Sequence, residues 1–219
     1  MDSIRKPRAW MRLPSGRRLD LINPDPLGWL DSDLALRLAR TYRWGGESCW
    51  PMPLSVAQHS LLVLEIRREL APAPLNPMQE LQELLHDGEE AFLGFDCISP
   101  LKQMLGEAFK SVESRLSAAI WQRYQLDDWT DENYLQHKQA DAIAAACEAV
   151  HCVGWRRDEV AEVLEISAPV FDRDPLHPRY GDCPWQPWSA TVAADRFLVE
   201  LMNLLPRVMN EPSLHHTIT

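Results

Sequence analysis

The chain has 219 residues, of which 46% are hydrophobic, and its net charge is -10. This length suffices for one well-cored domain and is short for two, so we predict a single domain over residues 1–219. The acidic balance argues against binding of a nucleic-acid duplex, which requires a basic face. It leaves small phosphorylated ligands open, because a few local cations and a metal ion can dominate one pocket.

Cysteine usage and hydropathy favour a cytoplasmic protein. The five cysteines are odd in number and none is spaced as CxxC, so neither a disulfide framework nor a cysteine zinc motif is expected. The basic N-terminal stretch MDSIRKPRAWMRLPSGRR lacks the apolar segment of a secretory signal. No apolar run approaches the roughly 20 residues that span a bilayer, so no membrane partner is expected.

The first part of the chain, residues 1–30, is predicted to be an N-terminal arm. Residues 8–22 alternate in polarity around a Pro-Ser-Gly turn, which indicates a short hairpin or extended arm. Asp31 or Ser32 is then positioned to cap a helix through DLALRLARTY. The stretch RWGGESCWPMP, residues 43–53, ends that helix with two glycines and two prolines.

From Ser55 onward the hydrophobic periodicity is helical. Ser55 is placed to cap a helix through VAQHSLLVLEIRREL. Further helices are predicted at residues 78–92, 100–124, 131–150, 158–166 and 190–208. Residues 168–188 contain five prolines and predict an ordered loop. The expected fold is therefore all-α, a helical bundle with a short N-terminal extended arm or hairpin.

The densest chemical signal is LLHDGEEAF, residues 84–92. His86 and Asp87 are neighbours on a predicted helix and diverge by about 100°, so both reach one point only if it lies between them. A metal ion satisfies this condition, with an imidazole nitrogen on one side and a carboxylate oxygen on the other. Glu90, one turn after His86, would face that point without binding it, where it can orient a water molecule or take its proton.

Two further residues interrupt apolar helix faces. His59 lies within SVAQHSLLVL, and Asp141 lies among alanines in KQADAIAAACEAV, where an unpartnered carboxylate is costly to bury. Taken alone, His59 is more simply a core histidine, and Asp141 is as well explained by pairing with Lys138. Joined to the His-Asp pair, they give two nitrogens and two or three oxygens, which suit Mn, Co, Fe, Zn or Ni and suit Mg less well. The combination predicts one divalent-metal site within residues 55–150.

The pattern H…HD…D resembles the HD-domain superfamily of metal-dependent phosphohydrolases. HDGEEAFLGFDCISPLK is similar to the HDAxEAxxGDxxxPxK segment of bacterial 5'-deoxynucleotidases and phage dATP triphosphohydrolases. KQADAI resembles their KQAD segment, and TYRWGG resembles their Arg-Trp or Arg-Phe element. The resemblance covers about residues 14–150, plus PWQPWSA and the helix after it. It implies an HD-domain helical bundle, a nucleotide substrate and a homodimer.

The resemblance also implies roles for individual positions. The metal ligands fall on His59, His86, Asp87 and Asp141, and the acid that activates water falls on Glu90. The substrate contacts fall on Arg43 for the phosphate, Trp44 and Asp96 for the sugar, and Lys102 near the phosphates. This chain has GFD where the pattern has GD, so Phe95 is an insertion that bears on the placement of Asp96 and on sugar selectivity.

The substrate positions also have structural interpretations. Arg43 is otherwise a surface ion-pair partner, Trp44 a core residue, and Lys102 a solvated helix residue. Trp185 and Trp188 either wall a base pocket by stacking or, as we favour, pack onto the bundle.

Three functions fit these residues. The favoured one is a 5'-nucleotidase that hydrolyses deoxynucleoside monophosphates to nucleoside and phosphate. A dNTP triphosphohydrolase would use the same ligands but needs more cations, for which Lys110 and Arg115 are available. A catalytically silent HD regulatory or scaffold protein is the third, and the intact ligand set with Glu90 argues against it.

Overall fold

The computed structural model describes residues 9–210 and begins with a two-stranded hairpin. Strand β1 (Trp10–Arg12) pairs antiparallel with β2 (Arg18–Asp20), and Met11 lies opposite Leu19. Gly16 takes a φ of 86° in the turn, a left-handed conformation that favours glycine. The predicted hairpin is confirmed, although residue 8, where the prediction begins, lies outside the described residues.

Every other regular element of the described chain is a helix, which confirms the predicted all-α fold. The α-helices are α1 (Asp31–Arg40), α2 (Val56–Leu70), α3 (Pro77–Leu85), α4 (Glu90–Leu93), α5 (Ser99–Tyr124), α6 (Asp131–Glu148), α7 (Arg157–Glu162), α8 (His177–Tyr180) and α9 (Ala190–Asn210). Across residues 9–210, none of them combines the length and apolar character needed to cross a membrane.

A buried carboxylate joins the hairpin to α1. Asp33 accepts hydrogen bonds from the Ser15 backbone N–H and hydroxyl, each at 2.7 Å, and from the Leu30 N–H at 2.9 Å. The predicted cap at Asp31 or Ser32 is therefore wrong. Leu30 occupies the N-cap position, and its backbone N–H donates to the carboxylate of Asp33. Asp31 instead accepts from Arg123 and Tyr124 on α5.

Helix α2 is the centre of the bundle. It packs against α3, α6 and α9 and is buried on nearly every side, including polar residues such as Gln58 and Arg67. Ser55 caps it as predicted, accepting from the Gln58 N–H at 3.2 Å. His59, one turn into this helix, is fully buried. A polar side chain here lies inside the bundle and needs partners.

The predicted continuous helix over residues 78–92 is wrong in one respect, since it is interrupted at the His-Asp pair. Helix α3 ends at Leu85, and tight turns follow in which Gly88 N–H donates to the Leu85 carbonyl and Glu90 N–H to the Asp87 carbonyl. A Cβ on Gly88 would lie 3.0 Å from Ile120 Cδ1, so α5 presses closely against this turn. The interruption changes the directions in which His86 and Asp87 point.

The proline-rich segment 168–188 is ordered, as predicted, and contains the single-turn helix α8. Asp174 accepts from the Trp185 N–H at 2.7 Å, and Gln58 on α2 accepts from the Trp188 N–H at 2.7 Å. Both tryptophans are 7% exposed and belong to the core, and Arg196 covers the Trp188 ring at 4.2 Å. The favoured interpretation of these tryptophans as packing residues agrees with these contacts.

Candidate metal centre

Three side chains from two parts of the bundle converge on one point. Nitrogen or oxygen atoms of His59, His86 and Asp87 all lie within 4.8 Å of one another. The Asp87 Oδ2 atom is 3.1 Å from His86 Nε2 and 3.5 Å from His59 Nε2. These three of the four predicted ligands are therefore close enough to share a cation.

Asp141 lies at the edge of this cluster. Its Oδ1 atom is 3.4 Å from His59 Nε2, while its Oδ2 atom accepts from Lys138 Nζ at 2.6 Å. Asp141 therefore combines its two interpretations, as a metal ligand and as a partner of Lys138. One of its oxygens faces the cluster, and the other forms an ion pair with Lys138. The structure therefore brings three of the four predicted ligands into one cluster and places Asp141 beside it.

The two histidines present their Nε2 atoms to the cluster. His59 Nδ1 donates to Glu148 Oε1 at 2.6 Å, and His86 Nδ1 donates to the Glu83 carbonyl at 2.7 Å. Among the residues that the structure describes, neither Nε2 atom has a hydrogen-bond partner, although both are buried. Unpartnered buried nitrogens are rare and costly, and imidazoles fixed through Nδ1 are typical metal ligands. The donor set therefore fits a divalent metal ion.

The carboxylates and imidazoles of the cluster shift one another's pKa values. Burial opposes the imidazolium form, yet the carboxylates of Asp87 and Asp141 raise the pKa of His86 to about 9. Burial alone would raise the pKa of Asp87, but His86 and His59 hold it well below its usual range. The carboxylates thus draw protons onto the histidines, and a bound dication would take the place of that charge.

A cleft of about 670 Å³ opens beside the cluster. All five predicted catalytic and substrate residues line it together with two ligands: Arg43, Trp44, Asp87, Glu90, Asp96, Lys102 and Asp141. Residues 163–166 also line the cleft, and they include the apolar side chains of Val163, Leu164 and Ile166 as well as Glu165. The lining of the cleft therefore combines charged groups with a short, largely apolar segment.

Glu90 is buried at the inner end of this cleft. It is 2% exposed, and its Oε2 atom has no hydrogen-bond partner in the described part of the chain. Burial, then the negative charges of Asp87 and Asp96, raise the pKa of Glu90 to about 11. A cation bound at Asp87 would lower this pKa, because an opposite charge favours the carboxylate form.

Arg43 and Asp96 face each other inside the cleft. Arg43 NH1 lies 3.6 Å from Asp96 Oδ2 and 4.0 Å from Asp87 Oδ2. The Arg43 side chain is only 12% exposed, so its interpretation as a surface ion-pair partner is wrong. Phe95 is 43% exposed and contacts Phe109, so the inserted residue points outward while Asp96 points inward.

Lys102 and Trp44 each line the cleft, as a substrate residue would, and also make the structural contact that was the alternative interpretation. Lys102 lines the cleft and pairs with Glu113 at 2.7 Å, so it is neither free nor fully solvated. Trp44 lines the cleft and also packs against a small buried cluster that includes Ala146 and Val160. A backbone bond from the Arg43 N–H to the Leu54 carbonyl ties this segment to the start of α2, close to His59.

Glu148 is a site residue that the sequence prediction missed. It is fully buried at the end of α6 and bonds His59, Arg43 and Trp44. Burial opposes its charge, yet Arg43 and His59 hold the pKa of Glu148 below its ordinary value. A signal was present, because Glu148 follows Asp141 by two helical turns and is also an acid among alanines.

A second cavity, of about 540 Å³, lies on another side of His86. Its walls are largely aromatic and include Trp121, Trp129, Tyr134 and His137. None of the predicted substrate residues lines it. The larger cleft is therefore the one in which the predicted residues come together.

Comparison with known proteins places this chain beside one relative. It is 36% identical over 167 residues to an uncharacterized protein of Rhodobacter capsulatus, and the match covers 76% of this chain and 84% of the relative. No model of a protein family matches the sequence.

Proposed function

The chain belongs to the same family as this uncharacterized protein of Rhodobacter capsulatus, and from the residues of the site we propose that it is an HD-type metal-dependent phosphohydrolase acting on deoxynucleoside monophosphates. One observation carries the proposal. Two buried, unpartnered imidazole nitrogens, of His59 and His86, meet Asp87 beside a cleft that also holds Glu90 and Arg43.

The metal would be held by His59 Nε2, His86 Nε2 and Asp87, with Asp141 joining from the edge. Two nitrogen and two oxygen donors suit Mn, Co, Fe, Zn or Ni better than Mg. A divalent ion in this position supplies positive charge to a phosphate group and lowers the pKa of a water molecule.

The charge of the cleft supports a cation-dependent reaction. Its lining carries the acids Asp87, Glu90, Asp96, Asp141 and Glu165. In the described part of the chain its lining cations are Arg43 and Lys102, and each already pairs with an acid. A phosphate dianion would be repelled from such a cleft unless further positive charge were present.

The protein groups can perform direct hydrolysis. Glu90 orients a water molecule and takes its proton as the water oxygen forms a bond to phosphorus. The bond from phosphorus to the 5'-oxygen breaks, and the leaving oxygen takes up a proton, which gives nucleoside and inorganic phosphate. Arg43 and Lys102 bind phosphate oxygens and stabilise the charge that is redistributed.

The position of the remaining cations favours a monophosphate over a triphosphate. Lys110 pairs with Glu107, and Arg115 donates to the Ile22 carbonyl, so neither lines the cleft. Release of triphosphate would require positive charge for two more phosphate groups. Arg43 and Lys102 together provide only two positive charges. The apolar side chains of Val163, Leu164 and Ile166, together with Trp44, are suited to the nucleoside part of the substrate.

The test is a substrate screen on the purified protein. Deoxynucleoside monophosphates, their ribose counterparts and dNTPs are incubated with Mn²⁺, Co²⁺ or Mg²⁺, and phosphate and triphosphate are measured separately. We expect phosphate release from deoxynucleoside monophosphates with Mn²⁺ or Co²⁺. Triphosphate release from dNTPs would favour the second activity, and a protein that binds no metal and releases neither product would favour a regulatory role.

A further inference from the structure

Glu148 connects two parts of the site that lie far apart in the sequence. Its Oε1 atom accepts from His59 Nδ1 at 2.6 Å, and its Oε2 atom accepts from Arg43 Nε at 2.9 Å and Trp44 Nε1 at 3.1 Å. The side chain is fully buried, so these three donors replace its water. A single carboxylate therefore touches a predicted metal ligand and two predicted substrate residues.

On the first side, Glu148 selects the form of His59. A carboxylate accepts hydrogen bonds, so it requires the proton of the neutral imidazole to sit on Nδ1. The Nε2 atom then carries the lone pair, and this atom lies 3.5 Å from Asp87 and 3.4 Å from Asp141. Partners of this kind fix the tautomer and ring orientation that a metal ion needs.

On the second side, Glu148 holds the Arg43–Trp44 segment. Its bond to Arg43 Nε leaves the guanidinium NH1 atom facing Asp96 and Asp87 in the cleft. Trp44 has a φ of 58°, a left-handed conformation that is strained for an aromatic residue. The indole N–H bond to Glu148 is one contact that retains this conformation.

We infer that Glu148 is a positioning residue that sets metal affinity through His59 and substrate affinity through Arg43 and Trp44. The inference deepens the proposed function and rests on it for the identity of the substrate. The part of the inference that concerns metal affinity can be tested without measuring any enzymatic activity.

Glu148→Gln should lose the hydrogen bond to His59 or the hydrogen bonds to Arg43 and Trp44. An amide has one acceptor oxygen and one donor NH₂ group, whereas both ends of Glu148 accept. If the NH₂ group faces His59, the imidazole must accept at Nδ1 and carry its proton on Nε2, which blocks metal binding. If it faces the segment, the N–H groups of Arg43 and Trp44 lose their acceptor.

The experiment compares Glu148→Gln with Glu200→Gln. Glu200 is a matched control because it is also a buried glutamate between two cations, Arg68 and Arg179, on another face of the bundle. Co²⁺ affinity is measured by calorimetry and visible absorption, and kcat and KM are measured at saturating metal. Binding of inorganic phosphate to the metal-loaded protein replaces KM if no turnover is found.

We expect Glu148→Gln to bind Co²⁺ about 10–100-fold more weakly, or to raise KM several-fold with unchanged metal affinity. Glu200→Gln should change neither quantity, whatever it does to thermal stability. A Glu148→Gln protein with both quantities within twofold of the unaltered chain would overturn the inference. An unaltered chain that binds Co²⁺ but hydrolyses no nucleotide would contradict only the proposed activity.

A second variant covers the case in which Glu148→Gln does not fold. Trp44→Phe keeps an aromatic side chain at this half-buried position and removes the indole N–H donor to Glu148, together with the five-membered ring that carries it. We expect it to raise KM, or weaken phosphate binding, a few-fold while Co²⁺ affinity stays constant. Unchanged substrate and phosphate affinity would contradict the substrate half of the inference.

Discussion

Asp87 is the residue on which the metal cluster depends most. Its Oδ2 atom lies 3.1 Å from His86 Nε2, 3.5 Å from His59 Nε2 and 4.0 Å from Arg43 NH1. This one oxygen therefore compensates three groups that are positive or become so when protonated. Removing it takes from His86 its nearest carboxylate, whereas His59 and Arg43 keep Glu148 as a partner.

We predict that Asp87→Ala lowers Co²⁺ or Mn²⁺ affinity by at least about 100-fold. Loss of a residue that only hydrogen-bonds to a metal ligand already lowers metal affinity by about 10–100-fold, and loss of a ligand itself should lower it further. Isothermal titration measures the effect. Asp158→Ala, which removes an exposed carboxylate, is the control and should bind as the unaltered chain does. Equal affinities for the two variants would show that the ion binds elsewhere.

For Glu90 we predict retained metal binding and lost turnover. Both Glu90→Ala and the isosteric Glu90→Gln should lower kcat by about 10²–10⁴-fold, the usual contribution of a general acid or base. Their Co²⁺ affinities should stay within a few-fold of the unaltered value. A Glu90→Gln protein that hydrolyses substrate at the full rate would remove this residue from the mechanism.

Several residues of the site were predictable from sequence because each is out of place in its helix. His59 and Asp141 interrupt apolar faces, and the His86-Asp87 pair needs an ion between its members. Glu148 carries the same signal but was missed, because its value comes from three partners that lie 89 to 105 residues away in the chain. Such partners are fixed by how α2, α6 and the segment before α2 pack, which one sequence does not reveal.

At the scale of elements, the turn between α3 and α4 decides the shape of the site. HDGEE contains one glycine and no proline, so local preference alone allowed a continuous helix. Helix α3 ends at Leu85, and Gly88 in the turn that follows lies so close to α5 that an added Cβ would be 3.0 Å from Ile120 Cδ1. Tertiary packing therefore overrode propensity at this point.

We predict that Gly88→Ala destabilises the fold by about 1–3 kcal/mol, the usual cost of an added methyl group in a packed core. The free energy of unfolding, from urea denaturation, measures the effect. Ile120→Val removes the Cδ1 atom that the new methyl group would meet. Gly88→Ala should therefore lower the free energy of unfolding by less when Ile120→Val is also present. If the two substitutions have strictly additive effects on this free energy, the contact with Ile120 is not the cause.

At the scale of the whole molecule, the fold class was the most predictable property. Long amphipathic periods and clear caps such as Ser55 predicted most helices, and the Pro-Ser-Gly turn predicted the hairpin. The interruption before Glu90, the glycine break at Gly106 within α5 and the wide turn at residues 149–153 were not predicted, because each reflects a contact or a backbone angle rather than a pattern. The single domain, the cytoplasmic location and the homodimer stay predictions.

Metal binding should stabilise the whole bundle, since its ligands lie on α2, on α6 and in the turn before α4. At a free metal concentration 100 times Kd, the gain is about 2.7 kcal/mol. For a chain of this size that corresponds to a rise in Tm of roughly 5–10 °C over the chelated protein. Scanning fluorimetry with Mn²⁺ and with EDTA measures it. The rise should vanish in Asp87→Ala, and a rise that persists there would point to a different site.

The acidic lining of the cleft has a kinetic consequence. Until a cation has entered, an incoming phosphate ester meets the carboxylates of Asp87, Asp96, Asp141 and Glu165 in the cleft. Once the cation is in place, its charge offsets these carboxylates and attracts the ester. Association should then be ordered, with the ion as the obligatory leading reactant, and no excess of nucleotide can substitute for it.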